Sequence, residues 1–385
     1  MKIRVSMPAP TRGFLSRSAM VILLIASLAA CVQTAPPELL EAVESLDRDL
    51  VAIRGVEFAP TEYARFVQDW AALRGRMLAE EDVIRWPWEP NPLVADLQKV
   101  HEEGEKAMAV ATQRKEEDHR DAEARLTLLE RRLRVFNSRV DQMESRVVLG
   151  QRPIETELLV KQARSFLEQG LFARSLQATE QASTLIAAQT ALLTTELGRY
   201  ADERLVGAWR QMARRTIAWS RTNRTTVILV NKADRRLTIY RNGRPVVSHP
   251  VRLGYNGILE KRYQGDGATP EGQYRVVKKR DRGQTQFYRA LLLDYPNAED
   301  RRRFQKARRA GAIPAKAFIG GQIEIHGEDD LPMSQTLGCL MLDNRRMDKL
   351  FEQVEVGTPV TIVGALKVSN PVALALADLE QSEEG

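Results

Sequence analysis

A chain of 385 residues is longer than one ordinary core accommodates, so two domains with extensions are expected. Apolar residues at 43% and charged residues at 28% are the proportions of a folded soluble protein. The surplus of Lys and Arg, 57 against 51 Asp and Glu, is mild for this length, and with no aromatic interleaving or recognised binding motif it argues against nucleic acid as a partner.

In chain order, Lys2, Arg4, Arg12 and Arg17 precede an apolar run over 19–30, which is short for a bilayer span and has the layout of a secretory signal. The run ends in Leu28-Ala29-Ala30-Cys31, which resembles the lipobox of bacterial lipoproteins. That resemblance implies a signal peptide over 1–30, lipidation of Cys31, and a membrane-held protein facing the periplasm. Val32, rather than an aspartate, implies the outer membrane. The alternative is an uncleaved anchor with an incidental cysteine. TAPPE, ending the stretch 31–38, reads as a tether.

From 39 to 222 the pattern is helical, with expected helices over 39–54 and 61–85. Trp86-Pro87-Trp88-Glu89-Pro90-Asn91-Pro92 stops the second, because three prolines in so short a run forbid a continuous helix. The tryptophans are expected to pack against a neighbouring helix. The next helical segment runs over 93–149 and carries Leu126, Leu129, Leu133, Phe136, Val140, Met143 and Val147, spaced alternately three and four. That is the seam of a coiled coil or of a long antiparallel hairpin, and its partner is either a second copy or another helix of this chain. Residues 155–182 read as two helices broken at Gly170. One such unit resembles a tetratricopeptide hairpin but is too little for a solenoid. A final helix is expected over 192–219.

The period changes at Thr225. Strands are expected over 227–231, 236–240, 246–253, 274–277, 290–293, 322–325, 339–342 and 359–363, with Asn242-Gly243 as a two-residue hairpin turn and a helix over 297–310. The fold class is therefore α+β and multidomain: a helical region followed by a mainly β domain over 225–365. Arg301-Arg302-Arg303 with Lys306, Arg308 and Arg309 is either a solvated helix face or a patch for an anionic polymer such as the cell wall. Residues 366–385 end in LEQSEEG and are expected to be an acidic, mobile tail.

The stretch 323–344 holds the chemistry. The chain has two cysteines and four histidines, and this stretch brings one of each together, Cys339 and His326. If Cys31 carries lipid, Cys339 has no partner within the chain, and a lone thiol in an oxidising compartment points to a reactive role; an inert buried cysteine is the alternative. A thiol attacks as thiolate and needs a basic neighbour, which His326 supplies. Gly338 lets a carbonyl approach the main chain, where amides can hold an oxyanion. No metal-ligand spacing stands out, no cofactor is implied, and Glu328, Asp329 and Asp330 read as a solvated loop.

At these residues the sequence resembles the L,D-transpeptidase family, the YkuD-like catalytic domain of cell-wall enzymes. The resemblance is carried by an IxIHG segment ending at His326-Gly327, a TLGC segment (Thr336, Leu337, Gly338, Cys339) and the upstream TPEG loop from Thr269 to Gly272. It implies Cys339 as nucleophile, His326 as base, the Gly327 carbonyl orienting the imidazole, and the Gly338 and Cys339 amides as oxyanion hole. It further implies acyl transfer from a peptidoglycan tetrapeptide stem through a thioester, with D-alanine expelled and an amine as acceptor. Thr336, Leu337 and Met341 would contact substrate. Two departures stand out: Leu337 occupies a position that is commonly polar, and Met341 one that is commonly an arginine holding the donor stem. Three functions remain: a transpeptidase, a hydrolase of the same fold with water as acceptor, and a non-catalytic envelope spacer whose helices self-associate or bind a protein.

Overall fold

The computed structural model describes residues 36–79, 91–144, 146–328 and 336–384. The signal-like segment, Cys31, the tryptophan and proline stop over 86–90, and Asp329 and Asp330 lie outside the described residues. Two compact units divide the chain at Asp121 and Ala122.

The first unit holds α1 (Pro37–Ile53), α2 (Gly55–Phe58), α3 (Pro60–Ala79) and the beginning of α4 (Pro92–Met143). Its core is Val43, Leu50, Phe66, Trp70, Leu73, Leu97, Val100 and Ala107. Gly104 sits where a Cβ would lie 2.9 Å from the Phe66 ring, so a glycine is needed for α3 and α4 to close.

In the second unit the end of α4 is followed by α5 (Arg146–Leu149), α6 (Arg152–Glu168) and α7 (Phe172–Leu197). Leu126, Leu129, Leu133, Phe136, Val140 and Met143 are buried, each contributing about 1.5–3 kcal/mol relative to exposure. Their partners belong to this chain: Arg164 on α6 bonds Glu130, and Arg132 bonds Ser183 on α7. The three-and-four spacing therefore marks an intramolecular helical layer among the described residues. Gly170, at φ +69°, makes the turn between α6 and α7.

A single turn of 3₁₀ helix (Gly198–Tyr200) leads to α8 (Glu203–Thr222), capped by Asp202, whose carboxylate accepts from Leu205 N. Then come β1 (Thr226–Asn231), β2 (Arg236–Arg241), β3 (Arg244–Pro250), β4 (Gly272–Arg280), β5 (Ala290–Leu293), α9 (Ala298–Arg309), β6 (Glu324–His326), β7 (Leu340–Met341), α10 (Asn344–Gln353) and β8 (Pro359–Val363). The strands make one eight-stranded sheet in the order β3-β2-β1-β8-β4-β5-β6-β7. The pairs β1/β8 and β6/β7 are parallel, and the other neighbours are antiparallel. Asn242 and Gly243 adopt φ of +54° and +74°, as a turn of the primed type requires. On α9, Arg303 is tied to Asp300 and to the Glu271 carbonyl, whereas Arg301, Arg302, Lys306, Arg308 and Arg309 face solvent.

The C-terminal segment departs from the expected mobile tail. Residues Pro371–Glu384 form α11, with Val372, Ala375, Leu376 and Leu379 buried. The apolar spacing of VALALADL, ahead of the acidic end, gives the helix a face that packs on α7, and Thr194 bonds Glu380 at 3.0 Å while Arg139 pairs with Asp378 at 2.8 Å.

One polar cluster joins helices to sheet. Lys232, fully buried at the end of β1, donates to Leu259 O (2.9 Å), Thr269 O (2.8 Å) and Glu271 Oε1 (2.8 Å). Glu271 also accepts from Arg199 Nη2 at 2.5 Å. Burial pulls the Lys232 ammonium down to about 8, against the opposing pull of Glu271, so it is still charged at neutral pH and its three protons all find acceptors. Glu271→Ala strands this cation and is expected to destabilise the fold by about 3–5 kcal/mol. Urea unfolding followed by tryptophan fluorescence measures it, and Glu271→Gln combined with Lys232→Met is expected to recover part of the loss.

Candidate active site

The β6/β7 ladder sets the geometry. Ile325 pairs with Leu340 and His326 with Met341, in parallel. Side chains alternate along a strand and paired residues share a face, so His326, Met341, Glu324 and Cys339 all lie on one face. By that register the thiol and the imidazole occupy diagonal positions across the two segments.

His326 is buried, and its Nδ1 lies 2.7 Å from Gly327 O. With the carbonyl accepting from Nδ1–H, Nε2 is left as the basic nitrogen. Phe287 stacks on the ring, with centroids 3.7 Å apart and planes at 16°. Gly327 N donates to Arg289 O at 3.0 Å, which pins the residue that orients the imidazole.

Cys339 accepts from Glu324 N (3.4 Å), and its S–H points to Gln322 O (3.6 Å). Thr336 Oγ1 donates to Cys339 O at 2.7 Å, closing the turn before the nucleophile. Gly338 has φ +126°, a conformation that favours glycine, and a Cβ there would meet Ala268 O at 2.7 Å. On the facing segment a Cβ at Gly254 would meet Gly338 Cα at 2.6 Å, and Gly254 N donates to Thr269 Oγ1 of the TPEG loop at 3.0 Å. Two bare backbones thus lie flush beside the thiol.

The structure brings Cys339, His326, Gly327, Gly338, Thr336 and Met341 together around β6 and β7. Leu337 instead points outward, 70% exposed. Not singled out from the sequence were Phe287, Glu324, Arg280, Gly254 and Arg252. Glu324 had a signal: alternation in IEIHG puts it on the face of His326, and it is a buried carboxylate answered by Arg280 at 2.6 Å. Among the described residues no group of three or more His, Cys, Asp or Glu is arranged to hold a metal. No described helix is long and apolar enough to cross a membrane.

Burial pushes the Cys339 thiol up to about 11; the Glu324 amide opposes this and the Glu324 carboxylate adds to it. The resting group is therefore a thiol that must lose its proton as it attacks. Alkylation by iodoacetamide is expected to quicken about tenfold per pH unit between 7 and 10, as the thiolate fraction grows. A plateau already reached at pH 7 would instead reveal a preformed thiolate and imidazolium pair.

Residues 225–362 match the family model of the YkuD L,D-transpeptidase catalytic domain. A protein of Escherichia coli strain K12, YafK, whose name ranks it provisionally as an L,D-transpeptidase, is 29% identical over 98 residues, 26% of this chain and 32% of that protein. The chain thus spans about a third of the length of the curated relatives it matches. Among solved structures, an L,D-transpeptidase from Xylanimonas cellulosilytica is 19% identical with a TM-score of 0.23, over 36% of this chain and 60% of that one. L,D-transpeptidase 1 of Mycobacterium tuberculosis is 18% identical with a TM-score of 0.21, over 36% and 62%. Following its helical region, then, this chain is similar over 225–362 to the catalytic domain of the L,D-transpeptidase family.

Proposed function

We propose that this protein modifies peptidoglycan as a cysteine acyltransferase of the L,D-transpeptidase type. The observation that carries the reading is the shared sheet face of Cys339 and His326, with Nδ1 of the imidazole tied to Gly327 O at 2.7 Å. The match of 225–362 to the catalytic-domain family supports the substrate class.

In the proposed reaction, Cys339 Sγ attacks the carbonyl after the diamino acid of a tetrapeptide stem while His326 Nε2 takes the thiol proton. The Gly338 and Cys339 amides receive the oxyanion. The tetrahedral adduct breaks its C–N bond, the imidazolium returns the proton to the departing D-alanine amine, and a thioester remains. An acceptor amine then attacks the thioester, gives up a proton to His326, and releases the thiol. Thr336 holds the turn before Cys339, while Leu337 and Met341 border the substrate.

A second reading replaces the amine with water and makes the protein a hydrolase of wall cross-links or wall-attached protein. Met341, apolar and 3% exposed where the family commonly has a stem-holding arginine, favours it. The spacer reading leaves the ordered thiol and imidazole without a purpose.

Lipidation at Cys31 would hold the domain at the outer membrane, facing the wall from the periplasm. Cys31→Ser is expected to shift the protein from the membrane fraction to the soluble periplasmic fraction, measured by immunoblot. Purified protein incubated with isolated sacculi, followed by mass spectrometry of muropeptides, tests the chemistry. New cross-links or exchanged terminal residues, absent with Cys339→Ala, are the expected result. Release of peptide or protein without new cross-links selects the hydrolase, and no Cys339-dependent change overturns both.

A further inference from the structure

Met341 lies between two partners. On one side it pairs with His326; on the other it bridges to Arg252, with N–H to O bonds of 2.9 Å in both directions. Residues opposite one another across a ladder share a face, so His326, Met341 and Arg252 form one row of side chains, with the Cys339 thiol diagonally next to it. Met341 is an apolar spacer in that row, and a guanidinium stands at its open end.

That guanidinium is loosely held. The Arg252 side chain is 55% exposed, and among the described residues it gives only Nη2, to Glu328 Oε1 at 2.7 Å, from a fork of five N–H donors. Glu328 is itself 40% exposed, and ion pairs this open to water are weak. The other cations around the site are more firmly engaged: Arg280 by buried Glu324, Arg289 by both Asp281 and Asp348, and Lys261 by Asp266 in a nearly closed setting. Arg346 pairs with Asp343, and Arg235 with Glu144 and Met143 O. Beside Arg252 opens a cavity of about 330 Å³ that is also lined by Met341, Val251, Arg235 and Arg346, and by Glu144 and Asp343, the two acids already paired with Arg235 and Arg346.

We infer that Arg252 is a carboxylate-binding subsite for the peptide presented to Cys339, an inference that rests on the peptidoglycan reading for its ligand. A substrate carboxylate entering the cavity replaces Glu328 on the guanidinium, one acid for another, and can take two parallel N–H bonds where Glu328 takes one. The row then spans the substrate: the charged group at Arg252, an apolar stretch over Met341, and the scissile carbonyl between His326 and Cys339.

Two measurements on the full chain test this, and one needs no turnover. Iodoacetate and iodoacetamide both alkylate a thiolate with loss of iodide, but only iodoacetate carries a carboxylate. The ratio of their rates at Cys339 is expected to fall about fivefold in Arg252→Gln, to be largely restored in Arg252→Lys, and to rise in Glu328→Gln. An unchanged ratio in Arg252→Gln overturns the subsite. With stem peptides bearing a free or an amidated carboxylate, Arg252→Gln is expected to raise KM for the free acid about tenfold with kcat little changed and to leave the amide unaffected. Equal losses on both peptides also overturn it. If the unmodified protein turns over neither peptide, the wall reading fails, and the alkylation ratio still decides the subsite.

Discussion

The buried Glu271 carboxylate held between Lys232 and Arg199 is the constraint on which the rest of the domain depends. It joins the 3₁₀ turn after α7, the end of β1 and the TPEG loop at one point. A charged cluster this deep contributes little net stability compared with an apolar core of equal volume, but it tolerates few alternative arrangements. Its importance lies in what it fixes: the loop carrying Glu271 also carries Thr269, Thr269 holds Gly254, and Gly254 lies flush against Gly338, one residue before the thiol. A chain of an ion pair, hydrogen bonds and close backbone packing thus runs from the helical layer to the backbone beside Cys339. Glu271 could be seen in the sequence only as part of a loop; its importance comes from the cation buried beneath it.

Cysteine and histidine were legible in the sequence because their chemistry is rare and their neighbours are glycines. Strand existence was legible for the same local reasons: alternation at 236–240, and Asn242-Gly243 between two apolar runs. What was not legible is register. Glu324 and Arg252 matter because β6 pairs in parallel with β7 and because Arg252 bridges Met341, and neither pairing is encoded in local spacing. Likewise the three-and-four seam from Leu126 to Met143 announces a helix with an apolar stripe. It does not say that α6 and α7 cover the stripe. The C-terminal segment was misread because its charged end, LEQSEEG, outweighed the apolar period just before it.

The setting of Cys339 has a thermodynamic logic. Burial and the Glu324 carboxylate both disfavour the thiolate, so the resting nucleophile is protected from oxidation and from stray electrophiles. On the proposed acyl-transfer reading, it is the arriving substrate that brings activation with it. Phe287, stacked on His326, holds the ring in plane so that the proton has one direction in which to move.

Asn370 donates to the carbonyl of Tyr200 at 2.8 Å, and just beyond, Arg210 reaches Leu366 O. The polypeptide therefore departs from the helical layer at Tyr200, builds the whole sheet, and returns to the same spot before α11 settles on α7. Architecturally the catalytic sheet is a cassette hung from a helical frame by adjacent stems. A tension applied along the helices would pass from α7 into α11 across that junction and leave the strands carrying Cys339 and His326 unloaded.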